Sequence, residues 1–191
     1  TRKESSAASD VYKRQGQGVP FQNDSSQLLI NLPTKRMSLN LDDEEEFWKW
    51  YQEQSEFKFD NPKYLPRFVF GHYMKSYLSN YDLLFDNLTI IKHPVREIFT
   101  NSEIDETTLT YYVCTSEDMS EWKEYDYIFL TTGTFAYHDP YKLKGNKGYI
   151  QTPYPTYNTL DEVSQSDDIA IIGTGLASLD VVRYLSLIHI S

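Results

Sequence analysis

Apolar positions along the chain recur in three patterns, and each predicts a different element. Phe47, Trp50 and Tyr51 stand at i, i+3 and i+4, one stripe of a short helix. The acidic run Asp42 to Glu46 is expected to open it, with Asp42 as N-cap and Glu45 three residues on. A longer stripe of Phe70, Tyr73, Met74, Tyr77 and Leu78 follows Pro66, a residue suited to a helix first turn. Phe70 and Tyr73 on that stripe read as core. Shorter apolar runs predict strands at Leu88 to Ile91, Val95 to Phe99, Leu109 to Cys114 and Tyr127 to Leu130, with His93-Pro94 interrupting the first two. Ile169 to Ile172 is a continuous apolar run, the pattern of a buried parallel strand, and a helix is expected from about Leu176. Loop-rich text punctuated by Gly and Pro fills 16–41 and 135–161.

Composition narrows what such a chain can do. Hydrophobic residues make up 40% and aromatics 15% of 191 residues, with 16 Tyr and 10 Phe, enough to build a core. The net charge of −10 argues against a nucleic-acid partner, which needs clustered Lys and Arg. Cys114 stands alone, so no disulfide or dithiol pair can form within the chain, and redox chemistry would have to come from a bound cofactor. No apolar run approaches the length of a membrane span and no secretion signal is legible, so neither a membrane partner nor a secretory route is expected and the expected location is the cytoplasm. No metal site is expected. His72, His93 and His138 each lack a partner at readable spacing and His189 falls in the closing tail, so no catalytic residue is named.

The strongest chemical signal is DDIAIIGTGLASLDVVRYL, where an apolar run meets Gly173-Thr174-Gly175-Leu176-Ala177-Ser178 and then a helical pattern. In a dinucleotide-binding turn the first glycine permits the tight bend and the second lets the backbone approach a pyrophosphate. Ser178 replaces the third, where the helix packs on its strand. Helix-start N–H groups would receive the phosphates. A plain β-α turn is the bland alternative. A methyltransferase turn is a rival, but it would place an acid where Ile172 stands. The acid that would choose between NAD and NADP falls about 20 residues further on, beyond Ser191. Upstream, Tyr125 to Thr134 reads as a strand ending in small residues and Gly133, a weaker sign of close ligand approach.

Four stretches together resemble the FAD/NAD(P)-binding flavoprotein oxidoreductases, a two-dinucleotide-site fold distantly similar to flavin monooxygenases: GQGVPF (16–21), LLINLPTKRMSL (28–39), YLPRFVFGHYMKSYL (64–78) and YDYIFLTTGT (125–134). The resemblance implies FAD contacts at Gly16, Gly18, Asn31, Met37, Arg67, Val95, Thr132 and Gly133, and NAD(P) contacts at Gly173, Gly175 and Ser178. Arg67 also reads as a helix-start charge. The implied fold is α/β, a partial Rossmann type with a small antiparallel β layer across Leu88 to Cys114. The family's opening FAD-binding strand and glycine turn are missing before Gly16, and the NAD(P) unit stops after one helix.

Residues 1–15, TRKESSAASDVYKRQ, resemble translated library-adapter sequence, and the closing LSLIHIS resembles its counterpart. The expected organisation is therefore an internal fragment truncated at both ends: tails at 1–15 and 186–191, a partial FAD-binding domain at 16–165 and the start of an NAD(P)-binding domain at 166–185. The implied function is that of an FAD-dependent, NAD(P)H-linked oxidoreductase acting on a small-molecule substrate, with the fragment itself inactive alone. A non-catalytic nucleotide-binding module and a non-functional gene fragment are the alternatives.

Overall fold

The computed structural model describes residues 17–84, 87–101, 109–133 and 138–188; Gly16, His189 and the 1–15 tail lie outside them. The described residues form two compact units, one within 87–133 and the other combining 17–84 with 138–188. The second unit is thus discontinuous in sequence.

In the discontinuous unit, a segment with little regular structure organises two helices. Residues 28–34 run beside 62–67: the Ile30 N–H donates to the Leu65 carbonyl (2.9 Å), the Thr34 N–H to Lys63 (2.9 Å) and the Arg67 N–H to Leu28 (2.7 Å). A single antiparallel bridge joins Leu29 and Pro66. This pairing seats the start of α2 (Arg67–Leu84), directly after Pro66 as its missing N–H allows. Helix α1 (Glu46–Glu53) packs against α2 through the expected stripe. Ile30, Phe47, Tyr51, Leu65, Val69, Phe70 and Tyr73 form the buried core, so Phe70 and Tyr73 are core as expected. Its density is aromatic: Phe47 meets Phe70 edge-on at 5.0 Å and Tyr73 at 5.1 Å.

The start of α1 differs from expectation. Glu45, not Asp42, precedes the first helical residue, and no side chain caps the helix. Asp43 instead accepts the Glu45 N–H on its own carboxylate (3.2 Å) and binds Lys49 Nζ at 2.6 Å, while the Asp42 N–H donates to Asn40 Oδ1. The carboxylates are spent on a turn that shifts the helix start by several residues.

The other unit holds a three-stranded antiparallel sheet, β1 (Glu97–Thr100), β2 (Tyr111–Cys114) and β3 (Trp122–Tyr125), in that order. Phe99 pairs with Tyr112, their rings stacked at 4.7 Å, and Trp122 closes on Phe99 at 5.1 Å. A small antiparallel layer is therefore present, but its third strand comes from a segment that carries no apolar alternation. The expected strands at 88–91, 127–130 and 169–172 do not form, and no parallel sheet occurs among the described residues. A strand exists only where a neighbour shares its hydrogen bonds, and among the described residues none lies beside these runs. Apolar side chains in the last two runs are left exposed accordingly, Phe129 at 87% and Ile172 at 85%.

A short turn of helix α3 (Thr156–Thr159) and the longer α4 (Leu176–Ile188) complete the discontinuous unit, where Leu160, Tyr184 and Leu185 form a second, smaller cluster. No helix among the described residues is long and apolar enough to cross a membrane.

Gly71 marks the tightest packing. It is buried in mid-α2, and a Cβ there would lie 1.9 Å from the Phe21 carbonyl oxygen. Gly71→Ala is expected to destabilise by about 2–3 kcal/mol in urea unfolding, because backbone must move. Gly148→Ala, where φ is +80° but space is open, should cost only about 1 kcal/mol. Equal losses at the two positions would contradict this packing.

Candidate nucleotide-binding site

Three of the stretches singled out in the sequence interlock. The GQGVPF turn, with Gly18 at φ +66° leading into Val19–Phe21, lays its Phe21 carbonyl on Gly71 of YLPRFVFG. LLINLP pairs along YLPR through the Leu28, Ile30 and Thr34 hydrogen bonds. Gly18, Asn31, Met37 and Arg67 therefore belong to one unit. Asn31 is exposed between buried Ile30 and exposed Leu32, while the Met37 side chain packs on the aromatic core. Val95, Thr132 and Gly133 belong to the sheet-bearing unit, all three exposed, with Gly133 at φ +74°.

The glycine turn before α4 has the backbone such a turn needs. Gly173 sits at φ +119°, a conformation L side chains rarely adopt, and a Cβ at Gly173 or Gly175 would meet nothing within 4 Å. The turn is thus open to solvent rather than filled by protein. Ser178 Oγ donates back to the Gly175 carbonyl at 2.6 Å, so the residue replacing the third glycine tightens the first turn of α4. The first N–H groups of a helix have no intrahelical acceptor and carry the positive end of the dipole, which suits an anion. The strand half of the motif is not formed.

Arg67 connects the two sets of residues. Its Nη2 donates to Asp180 Oδ2 of α4 at 2.8 Å, with only 20% and 17% of the two side chains exposed. Tyr154 donates its hydroxyl to the same Oδ2 at 2.5 Å, and its ring lies 5.3 Å from the guanidinium carbon. Arg67 Nε is buried without a partner. Burial and the Asp180 hydrogen bond together push the Tyr154 hydroxyl up to about 12. Beside it, Asp24 Oδ1 accepts both the N–H (2.9 Å) and the hydroxyl (2.6 Å) of Thr156. Asp180, Tyr154 and Asp24 went unseen in the sequence, where the one usable signal was an acid on the helix that follows the glycine turn.

The histidines stay apart. His72 meets Phe57 at a tilt and Phe68 edge-on, with Nε2 3.1 Å from Asn23 Oδ1, and burial holds its pKa below the ordinary value; His93 and His138 are exposed.

Residues 9–135 match the model of a family described as FAD-NAD(P)-binding. The chain belongs to this family. The match takes in all four stretches that carried the resemblance and ends before the Gly173 turn. No curated protein and no solved structure matches the chain. FAD and NAD(P) are therefore the cofactors of this FAD-NAD(P)-binding chain. The Gly173-Gly175 turn fits a dinucleotide phosphate in its positive φ and open surroundings. Among the described residues, Arg67 Nε is a buried donor with capacity for a ligand, and Asn31 is exposed.

Tyr73 shares the fate of Tyr154. Burial, and the hydrogen bond that its hydroxyl donates to Glu46, push it up to about 12, while the Leu39 N–H donates to its oxygen at 3.1 Å. Both phenols titrate later in the folded than in the unfolded chain. Their contribution to stability is then constant below the ordinary phenol value of about 10 and falls as pH rises from there through about 12. Phenolate absorbance should rise in two stages, the later one coinciding with loss of the circular dichroism signal. A single stage near pH 10 with the fold intact would contradict these environments.

Proposed function

We propose that this member of the FAD-NAD(P)-binding family serves an NAD(P)H-linked, flavin-dependent oxidoreductase reaction, monooxygenase-like in kind, on a small molecule rather than a nucleic acid. The observation that carries the reading is the open glycine turn at the head of α4, with Gly173 at φ +119°, in a chain whose residues 9–135 match the family. When bound, the nicotinamide supplies a hydride and the flavin accepts it. The chain's own part is to bind and orient. The backbone of Gly173 to Ala177 would hold the pyrophosphate by N–H donation, and the small residues at Gly173 and Gly175 keep that approach free of side chains. Gly18, Asn31 and Arg67 would flank FAD on the interlocked stretches. No proton-transfer residue is assigned.

Titration calorimetry with FAD and with NADPH tests this. Wild type is expected to bind both, and Gly175→Val, which fills the open space before α4, should weaken NADPH by roughly tenfold or more while leaving FAD affinity unchanged. Equal NADPH binding by the two proteins, or none by wild type, would overturn the reading.

A further inference from the structure

Helix α4 is sparsely held. Leu176, Leu179 and Val182 are largely exposed, and the side chains that fix it cluster on one face: Asp180 on Arg67 and Tyr154, and Tyr184 with Leu185 on Leu160. Tyr184 adds a hydrogen bond to Asp161 at 3.3 Å. Asp180 and Tyr184 are four residues apart, so the two attachments lie about 6 Å apart along the axis. One attachment leaves a rod free to pivot, whereas two fix its direction. The Asp180 attachment is the one nearer the glycine turn, and it is anchored well, because the Arg67 N–H is itself tied to Leu28 and Tyr154 precedes a loop held by Asp24.

We infer that Asp180 is a positioning residue for the nucleotide turn: bound by Arg67 and Tyr154, it sets the direction of α4 and with it the placing of Gly173 and Gly175. The inference rests on the proposed role of that turn, and assigns Asp180 no contact with the nucleotide. Without the carboxylate, α4 pivots about Tyr184 and Leu185 and the turn is no longer presented in one place. Arg67 then has a buried positive charge with no counter-ion, so the pair acts as a unit.

Hydrogen exchange on the whole chain, first without nucleotide, reads this directly. Asp180→Ala is expected to speed exchange in peptides covering 173–182 about tenfold more than in peptides from the α1 and α2 core. Arg67→Ala should reproduce the effect. Arg67→Lys, which keeps the charge but loses the planar fork, should restore part of the protection. NADPH affinity should fall in Asp180→Ala. Unaltered exchange at 173–182, or equal acceleration across the whole chain, would overturn the inference. If wild type gains no protection there on adding NADPH, the nucleotide reading fails, while the exchange measured without nucleotide still decides the role of Asp180.

Discussion

A guanidinium with 20% of its side chain exposed is tolerated only where an opposite charge and hydrogen bonds replace the lost water, and Arg67 meets that demand through Asp180 and the face of Tyr154. The demand organises its surroundings. Arg67 is the first residue of α2, so its backbone belongs to the aromatic core while its side chain reaches α4. Residues far apart in the chain, at 28, 67, 154 and 180, are thereby drawn to one place. The family-matched part and the glycine turn beyond it meet through this pair.

The rest of the discontinuous unit is consistent with a core built from few, large side chains. Phe47, Phe70 and Tyr73 fill it with rings that touch on several sides, and such packing leaves no room where backbone meets backbone. Gly71 is the consequence, a helical glycine kept at a cost in helix propensity because Phe21 presses on it. Tyr73 brings a polar group into this core and satisfies it from both sides, donating to Glu46 and accepting from Leu39. That pairing also ties the loop before α1 to α2.

Helices were legible because their signal is local. Phe47 with Tyr51, and Phe70 with Tyr73, announce a buried face by spacing alone, and α4 begins at Leu176 as expected. The Asp42 cap was misplaced because Asx turns at Asn40 and Asp43 compete for the same N–H groups, and a sequence does not say which wins. Strands were less legible because pairing is a property of two segments. Tyr127 to Leu130 has the better composition, yet Trp122–Tyr125 forms β3, since the tight turn through Ser116 and Asp118 brings it into register with β2. The bend expected at Gly173 is present, at φ +119°, but the strand expected before it is not. Asp180 was not legible, because its meaning depends on a partner 113 residues away.

Arg67 and Asp180 act together. A double-mutant cycle of Arg67→Ala and Asp180→Ala, followed by urea unfolding, measures this directly. The predicted coupling is about 1–3 kcal/mol, with the double variant less destabilised than the sum of the singles. Additive losses, with coupling below about 0.3 kcal/mol, would contradict it.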